Sequence, residues 1–255
     1  MATWRGVKDD YISLPVTEEG EIDFAYMENF IREIEASRLY KLDAYLQAAG
    51  FASSALTAEE AEALRQMECK QLRMGSFRAK ELFFVRSNPQ LDKESFVFSP
   101  SAPYPYFTRT VNNNGFLGYV EYLDEAHKIA GGSLAVGMLG MQFFYMERDF
   151  YAGQFTKTVF PKFDGFDAEV ALYFASLFNK ARAQFLKGLV RDFVRLFSEH
   201  EITIPVDIAG KPDLPTIRAY IRATMKRAIH HLVAWKDCEI VATQQICAAP
   251  PPQEA

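Results

Sequence analysis

One stretch of this chain occurs twice, and that repetition constrains the fold more than composition does. Ile12-Ser13-Leu14-Pro15-Val16 passes through Gly20, Asp23 and Phe24 into a long helical pattern ending near Leu46. Ile202-Thr203-Ile204-Pro205-Val206 passes through Gly210, Asp213 and Leu214 into another. The two align without a gap: Pro15 on Pro205, Gly20 on Gly210, Asp23 on Asp213, Ile31 on Ile221, Arg32 on Arg222, Leu42 on Leu232 and Tyr45 on Trp235. Two like units therefore bracket a dissimilar middle.

Each unit reads as a short extended segment, a turn and a helix. Asp23 is a good N-cap, because its carboxylate can take the orphan amides of the first turn. Phe24, Met27, Ile31 and Ile34 then recur at helical spacing, continued by Leu39, Leu42 and Leu46, and predict a helix from Phe24 to about Ala49 with Gly50 as its stop. Asp213 caps a second helix from Leu214 to about Trp235, with Ile217, Ile221, Met225, Ile229 and Leu232 along one face. Pro215 suits the first turn, where its missing N–H costs nothing. The first helix mixes Glu28, Glu33, Glu35 and Asp43 with Arg32, Arg38 and Lys41; the second carries Arg218, Arg222, Lys226, Arg227 and Lys236. Apolar stripes flanked by unlike charges predict a coiled-coil-like pair, with Phe24, Met27, Ile31, Ile34 and Leu42 facing Ile217, Ile221, Met225, Ile229 and Leu232. Whether the pair forms within one chain or between two is left open, as is the plainer arrangement in which each helix covers the middle separately.

The middle has a different character. Thr57 and Glu60 form a capping box for a short helix to about Met67. From Cys69 to about Phe163 the sequence is rich in Phe, Tyr, Val and Gly. Strands are expected at 96–98, 118–123, 133–137, 142–145 and 158–161, with a turn at Asn112-Asn113-Asn114-Gly115, where Asn and Gly tolerate positive φ. A helical pattern follows from Ala168 to about Leu196, with a break near Gly188. The expected division is 1–68 for the N-terminal segment and first helical unit, 69–200 for a mixed α/β domain, 201–237 for the second helical unit, and 238–255 for a tail that is disordered from about Ala248. The fold class is α+β.

Charge is unevenly spread. Residues 1–68 hold six Lys/Arg against fourteen Asp/Glu, whereas 69–200 hold sixteen against thirteen. Such asymmetry is a partner signal, and the net charge of −5 argues against indiscriminate nucleic-acid binding. Three cysteines without metal spacing fit a reduced, cytoplasmic protein. The N-terminus has no signal-peptide core, and no run is long enough to span a membrane.

Catalytic patterns are missing. Ser101-Ala102-Pro103-Tyr104-Pro105-Tyr106 is a faint echo of a methyltransferase catalytic loop but lacks a polar residue beside adjacent prolines. Gly131-Gly132 and Gly137-x-x-Gly140 form no phosphate-binding fingerprint. Glu121, Asp124, Glu125 and Lys128 could be drawn as a nuclease metal cluster, but read more simply as a solvated strand edge. His127, His200, His230 and His231 read as surface or satisfied histidines. No cofactor and no metal are expected.

The run Ile12-x-Leu14-Pro15…Gly20-x-Ile22-Asp23-Phe24-x-x-Met27-Glu28-x-Phe30-Ile31, with Glu33-x-Glu35-Ala36-x-Arg38 and Leu42-x-x-Tyr45-Leu46, resembles the spacer helix of specificity (S) subunits. These belong to type I restriction–modification systems and their type II relatives with a separate S chain. Phe150-Tyr151-Ala152-Gly153, Val159-x-Pro161-Lys162 and Leu172-Tyr173-Phe174…Phe178 resemble the later part of a target recognition domain. The resemblance implies recognition domains alternating with spacer helices that pack antiparallel. This chain departs from it, with two spacer units around one recognition domain, a half-size form. A homodimer could restore two reading heads.

The resemblance implies a non-catalytic subunit that reads double-stranded DNA and docks a methyltransferase (M) subunit, and in some systems a restriction subunit. The methyl donor would belong to the partner. Base and phosphate contacts call for Arg, Lys, Asn and Gln on loops. The candidates are Arg109 with Asn112, Asn113 and Asn114, then Gln142, Gln154, Lys157, Lys162, Arg78 and Lys80; for any one of them an ordinary solvated side chain is an equally good account. Tyr104, Tyr106 and Phe107 read as core. Two rivals remain: a diverged methyltransferase or nuclease, and an adaptor that binds an M subunit without reading DNA.

Overall fold

The repeated motif folds the same way both times. In the first copy Thr17 N donates to Glu21 O (2.8 Å), Gly20 N to Thr17 O (2.9 Å) and Asp23 N to Pro15 O (3.0 Å). In the second, Asp207 N donates to Lys211 O (2.8 Å), Gly210 N to Asp207 O (3.1 Å) and Asp213 N to Pro205 O (3.0 Å). Gly20 and Gly210 take φ of +87° and +76°, a left-handed conformation that glycine adopts without penalty. Asp23 then caps its helix by accepting from Tyr26 N, and Asp213 accepts from Thr216 N.

The computed structural model describes residues 11–187 and 190–248. They fall into two compact units, one made of the residues up to Ala55 together with those from Lys226 onward, the other of Leu56–Met225. The second unit thus extends past the expected 69–200 boundaries at both ends.

The first unit is a helical pair. Helix α1 spans Phe24–Ala48. Its partner is the later part of the long C-terminal helix Leu214–Ala248, which runs well past Trp235 into the expected tail; residues 249–255 lie outside the described residues. Asp43 meets Lys236, Ser54 meets His230, and Ala55 meets Lys226. Position rises along one segment as it falls along the other, so the pair is antiparallel and lies within one chain. The expected Met27 and Ile34 are half-buried, and covered positions also include Leu39, Leu42, Leu46 and Ala49 on one side and Lys226, Ile229, Val233, Lys236 and Ile240 on the other. Their alternating three- and four-residue spacing is that of a coiled-coil seam.

This seam differs from the expected one. Ile217, Ile221 and Met225 pack into the core of the second unit, while Phe24, Ile31 and Leu232 are exposed. The apolar stripe of the C-terminal helix serves two purposes in succession, and helical periodicity alone does not show where one hands over to the other. The basic residues follow the same division: Arg218 pairs with Asp167, and Arg222 with Glu169 and Glu60, all within Leu56–Met225.

The second unit begins with α2 (Ala58–Glu68), closed by the expected capping box between Thr57 and Glu60. Strand β1 (Met74–Arg78) pairs antiparallel with the strand Glu201–Pro205, placing the second copy of the repeat on the sheet edge. Between them lies a sheet of β2 (Phe83–Ser87), Thr156–Pro161, Ser133–Gly137 and Phe143–Met146 in that spatial order. A smaller sheet holds β3 (Tyr104–Phe107) between β4 (Phe116–Val120) and Tyr151–Ala152. In chain order the remaining strands are β5 (Ser133–Gly137), β6 (Phe143–Met146), β7 (Tyr151–Ala152), β8 (Thr156–Pro161) and β9 (Glu201–Pro205). The expected strand at 96–98 is loop, joined to β4 by an isolated bridge from Phe98 to Val120.

One face of the larger sheet is covered by α3 (Ala168–Lys180) and α4 (Phe193–Glu199). The expected single helix to Leu196 is interrupted: α3 stops at Lys180 and a separate turn covers Arg182–Phe185. Gly188, where the break was expected, lies outside the described residues. Phe83, Phe143, Phe174, Phe178, Phe185, Phe193 and Phe197 are all fully buried here. Ring centroids 4.8–6.4 Å apart link them, a range in which aromatic pairs add to simple burial. The other face meets the small sheet through Phe107, Ile129, Ala135, Phe150 and Ala152. The whole chain is α+β, with an antiparallel helical pair.

Candidate nucleic-acid interface

Four connections meet at one end of β5 and β8 in the second unit. They are the loop after β2, the segment Thr108–Gly115, the turn between β5 and β6, and the turn between β7 and β8. Close backbone approach joins the middle two: a Cβ on Gly137 would stand 2.6 Å from the Arg109 backbone, and one on Gly140 would stand 2.3 Å from Val111 Cγ1. Only glycine permits this packing. Met138 N donates to Phe155 O (2.9 Å), tying the β5–β6 turn to the β7–β8 turn. Phe155 N donates to Gln90 Oε1 (3.0 Å) and Gln154 Nε2 to Asp92 Oδ1 (2.9 Å), bringing in the loop after β2.

A buried polar network underlies this end. Asn88 is 4% exposed and donates from Nδ2 to Thr156 Oγ1 (3.0 Å), while its Oδ1 accepts from Thr158 (2.7 Å). Thr156 Oγ1 donates to Gly153 O and Gln90 Nε2 to Asn88 O. Every member has a partner, so the network holds the loops instead of costing stability. Beside it, Leu91, Asp92, Lys93, Tyr106, Arg109 and Gln154 help line an open hollow of about 290 Å³.

The residues singled out from the sequence divide into groups. Arg109 lies over the Phe155 ring, 5.4 Å from its centroid, as a cation–π pair. Gln154 and Lys157 belong to the same end; Lys157 Nζ donates to Ser87 Oγ (2.7 Å), and burial lowers its pKa. Asn112–Gly115 forms the expected tight turn, with φ of +48° at Asn113 and +54° at Asn114. Asn114 lines a different hollow, with Phe144–Arg148. Gln142 is half-buried just before β6.

Arg78, Lys80 and Lys162 gather elsewhere. Arg78 and Lys80 both pair with Glu199, at 3.1 and 2.7 Å, and Lys162 Nζ donates to Lys80 O. Here two exposed cations share one carboxylate near β9, apart from the loop end. Tyr106 and Phe107 are core, as expected. Phe155, Asn88 and Gln90 carry no sequence signal beyond a lone aromatic in a polar turn, and periodicity cannot reveal them.

The imagined metal cluster is internally satisfied: Asp124 pairs with His127, and Lys128 with Glu125 and Asp149. His127 holds the Asp124 carboxyl below its usual range. Among the described residues no group of His, Cys, Asp and Glu has the arrangement of a metal site, and no helix is long and apolar enough to cross a membrane.

No protein-family model matches the chain, and no curated protein matches it. Solved structures do. The S subunit of a type I restriction–modification system from M. genitalium is similar over 87% of this chain, at 13% identity and a TM-score of 0.46. The HsdS subunit from Thermoanaerobacter tengcongensis is similar over 84%, at 10% identity and a TM-score of 0.44. A structure describing complex assembly and conformational transition of the type I R-M system is similar over 88%, at 11% identity and a TM-score of 0.42. The match spans 56%, 51% and 58% of those chains, little more than half their length.

Proposed function

We propose that this chain is a non-catalytic, sequence-specific DNA-recognition subunit of a restriction–modification complex. Leu56–Met225 reads bases in double-stranded DNA, and the helical pair docks a methyltransferase subunit. The observation that carries the reading is the convergence of Arg109, Gln154, Lys157 and Phe155 on one loop end, fixed from beneath by the Asn88 network. Guanidinium and amide side chains are the groups that read base edges, and loops on a rigid sheet are where such readout is built. The methyl donor and the chemistry belong to the partner.

The two copies of the repeat bear on assembly. Ile202, Ile204 and Val206 are at most 8% exposed, whereas Ile12, Leu14 and Val16, their counterparts, are 77%, 39% and 58% exposed. Phe24, Phe30 and Ile31 of the following helix are exposed too, and exposed apolar side chains in this number are of the type that marks a protein contact. A second copy of this chain or the methyltransferase subunit fits that surface, and a homodimer would read a symmetric split site.

The test is to purify the full chain with its methyltransferase subunit and map methylated bases on plasmid DNA. A single recurrent sequence, altered by Arg109→Ala or Gln154→Ala, supports the reading. Assembly of the complex with methylation indifferent to both substitutions favours an adaptor that does not read DNA.

A further inference from the structure

Phe155 combines features that packing does not explain. It sits in the β7–β8 turn with φ of +57°, a region that is costly for a bulky L-residue and that Gly or Asn would occupy with less strain. Yet 47% of its surface is exposed, so the ring gains little from burial in return. Its backbone is held from two sides, the amide donating to Gln90 Oε1 and the carbonyl accepting from Met138 N. Gln90 is fixed in turn through Asn88 to the buried threonines of β8. A strained conformation that its surroundings enforce is a recurrent mark of a functional position. Here the enforced result is an aromatic ring projecting from the loop end, with the Arg109 guanidinium over one face.

We propose that Phe155 is a specificity-determining residue that stacks on, or wedges into, one base step of duplex DNA, and that its ring orients Arg109 toward the groove edge beside that step. This rests on the DNA-reading function argued above. Aromatic side chains are effective here because every base offers a π-face, and an apolar wedge selects steps that unstack easily. The guanidinium, 5.4 Å from the ring centroid, would present its forked donors to a guanine edge or a phosphate. Lys157 beside the same turn supplies further positive charge.

The test uses the full chain together with its methyltransferase subunit, as wild type and with Phe155→Gly, Phe155→Ala and Phe155→Trp. The probe is a pool of duplexes with a randomised centre, followed by the enriched duplex carrying 2-aminopurine at successive positions. Wild type is expected to enrich one sequence and to raise 2-aminopurine fluorescence at a single step. F155A and F155G should lose about tenfold or more in affinity for the enriched duplex, while F155W stays within about threefold. F155G should melt at or above the wild-type temperature, because glycine takes a positive φ freely. That combination separates a DNA contact from a packing role. Unchanged affinity in F155A and F155G, no fluorescence change at any step, or a lowered melting temperature in F155G would overturn the assignment while leaving DNA reading intact. If wild type enriches no sequence, DNA reading fails, and this assignment with it.

Discussion

Ile31 and Ile221 occupy equivalent positions in the two copies of the repeat but opposite environments: Ile221 is 9% exposed within the aromatic core, and Ile31 is 53% exposed. The same local sequence builds the same turn and helix start in both places, so the difference lies in what covers them. Ile221→Ala should therefore cost about 2–5 kcal/mol. Ile31→Asp should change the stability of the isolated chain by no more than about 0.5 kcal/mol, while weakening whatever assembly covers that face. Chemical denaturation, read beside light-scattering mass with and without the methyltransferase subunit, checks both.

Lys236 and Asp43 set a pH window for the helical pair. Lys236 is 3% exposed and its ammonium lies 2.5 Å from Asp43 Oδ1. The hydrogen bond to Lys236 lowers the Asp43 pKa below 3.8, and the bond to Asp43 raises the Lys236 pKa above 10.5. A depressed carboxylate contributes stability above pH 3.8 that is lost as pH falls through the folded value. A raised ammonium contributes below pH 10.5 and loses that contribution as pH rises through its folded value. The pair should hold between these limits and loosen outside them, read by helical circular dichroism. Lys236→Asp should lower the melting temperature, and adding Asp43→Lys should restore part of the loss.

Gly137→Ala should disturb recognition. The new methyl would meet Arg109 backbone atoms at 2.6 Å, and overpacking of this kind costs about 1–3 kcal/mol. Because the clash lifts the Arg109 segment from the β5–β6 turn, DNA affinity should fall by more than the loss of overall stability explains. Comparing urea midpoints with affinity for an enriched duplex separates the two effects.

Phe178→Ala should be among the most damaging single changes, at about 3–5 kcal/mol. The ring is fully buried and meets Phe83, Phe143, Phe174 and Phe197. Loss of near-ultraviolet circular dichroism at temperatures where the wild type is folded would report it.

The repeat was legible because local chemistry dictates it: Asp23 and Asp213 cap, Gly20 and Gly210 turn, and apolar residues recur at helical spacing. That the two helices pair was legible from their apolar stripes, whereas the antiparallel direction came only from the family resemblance. Its seam was not. Ile217 and Ile221 share a stripe with Ile229, yet the first two pack within Leu56–Met225, and no periodicity marks that change of partner. In the loops the sequence pointed to Arg109, Gln154 and Lys157 by residue type alone. It gave no hint of Phe155, whose character comes from a positive φ imposed by Gln90 and Met138, residues distant in sequence. Nor could it show that Arg78 and Lys80 share Glu199, which lies far along the chain.

The central claim is that Leu56–Met225 alone decides which DNA sequence the complex addresses. The direct measurement exchanges this segment, at the boundaries where the structure divides, for its counterpart from another chain of the same architecture, and maps the bases methylated by the complex with the methyltransferase subunit. The methylated sequence should move with the exchanged segment. A methylation pattern unchanged by the exchange, in a complex that assembles normally, would contradict the account.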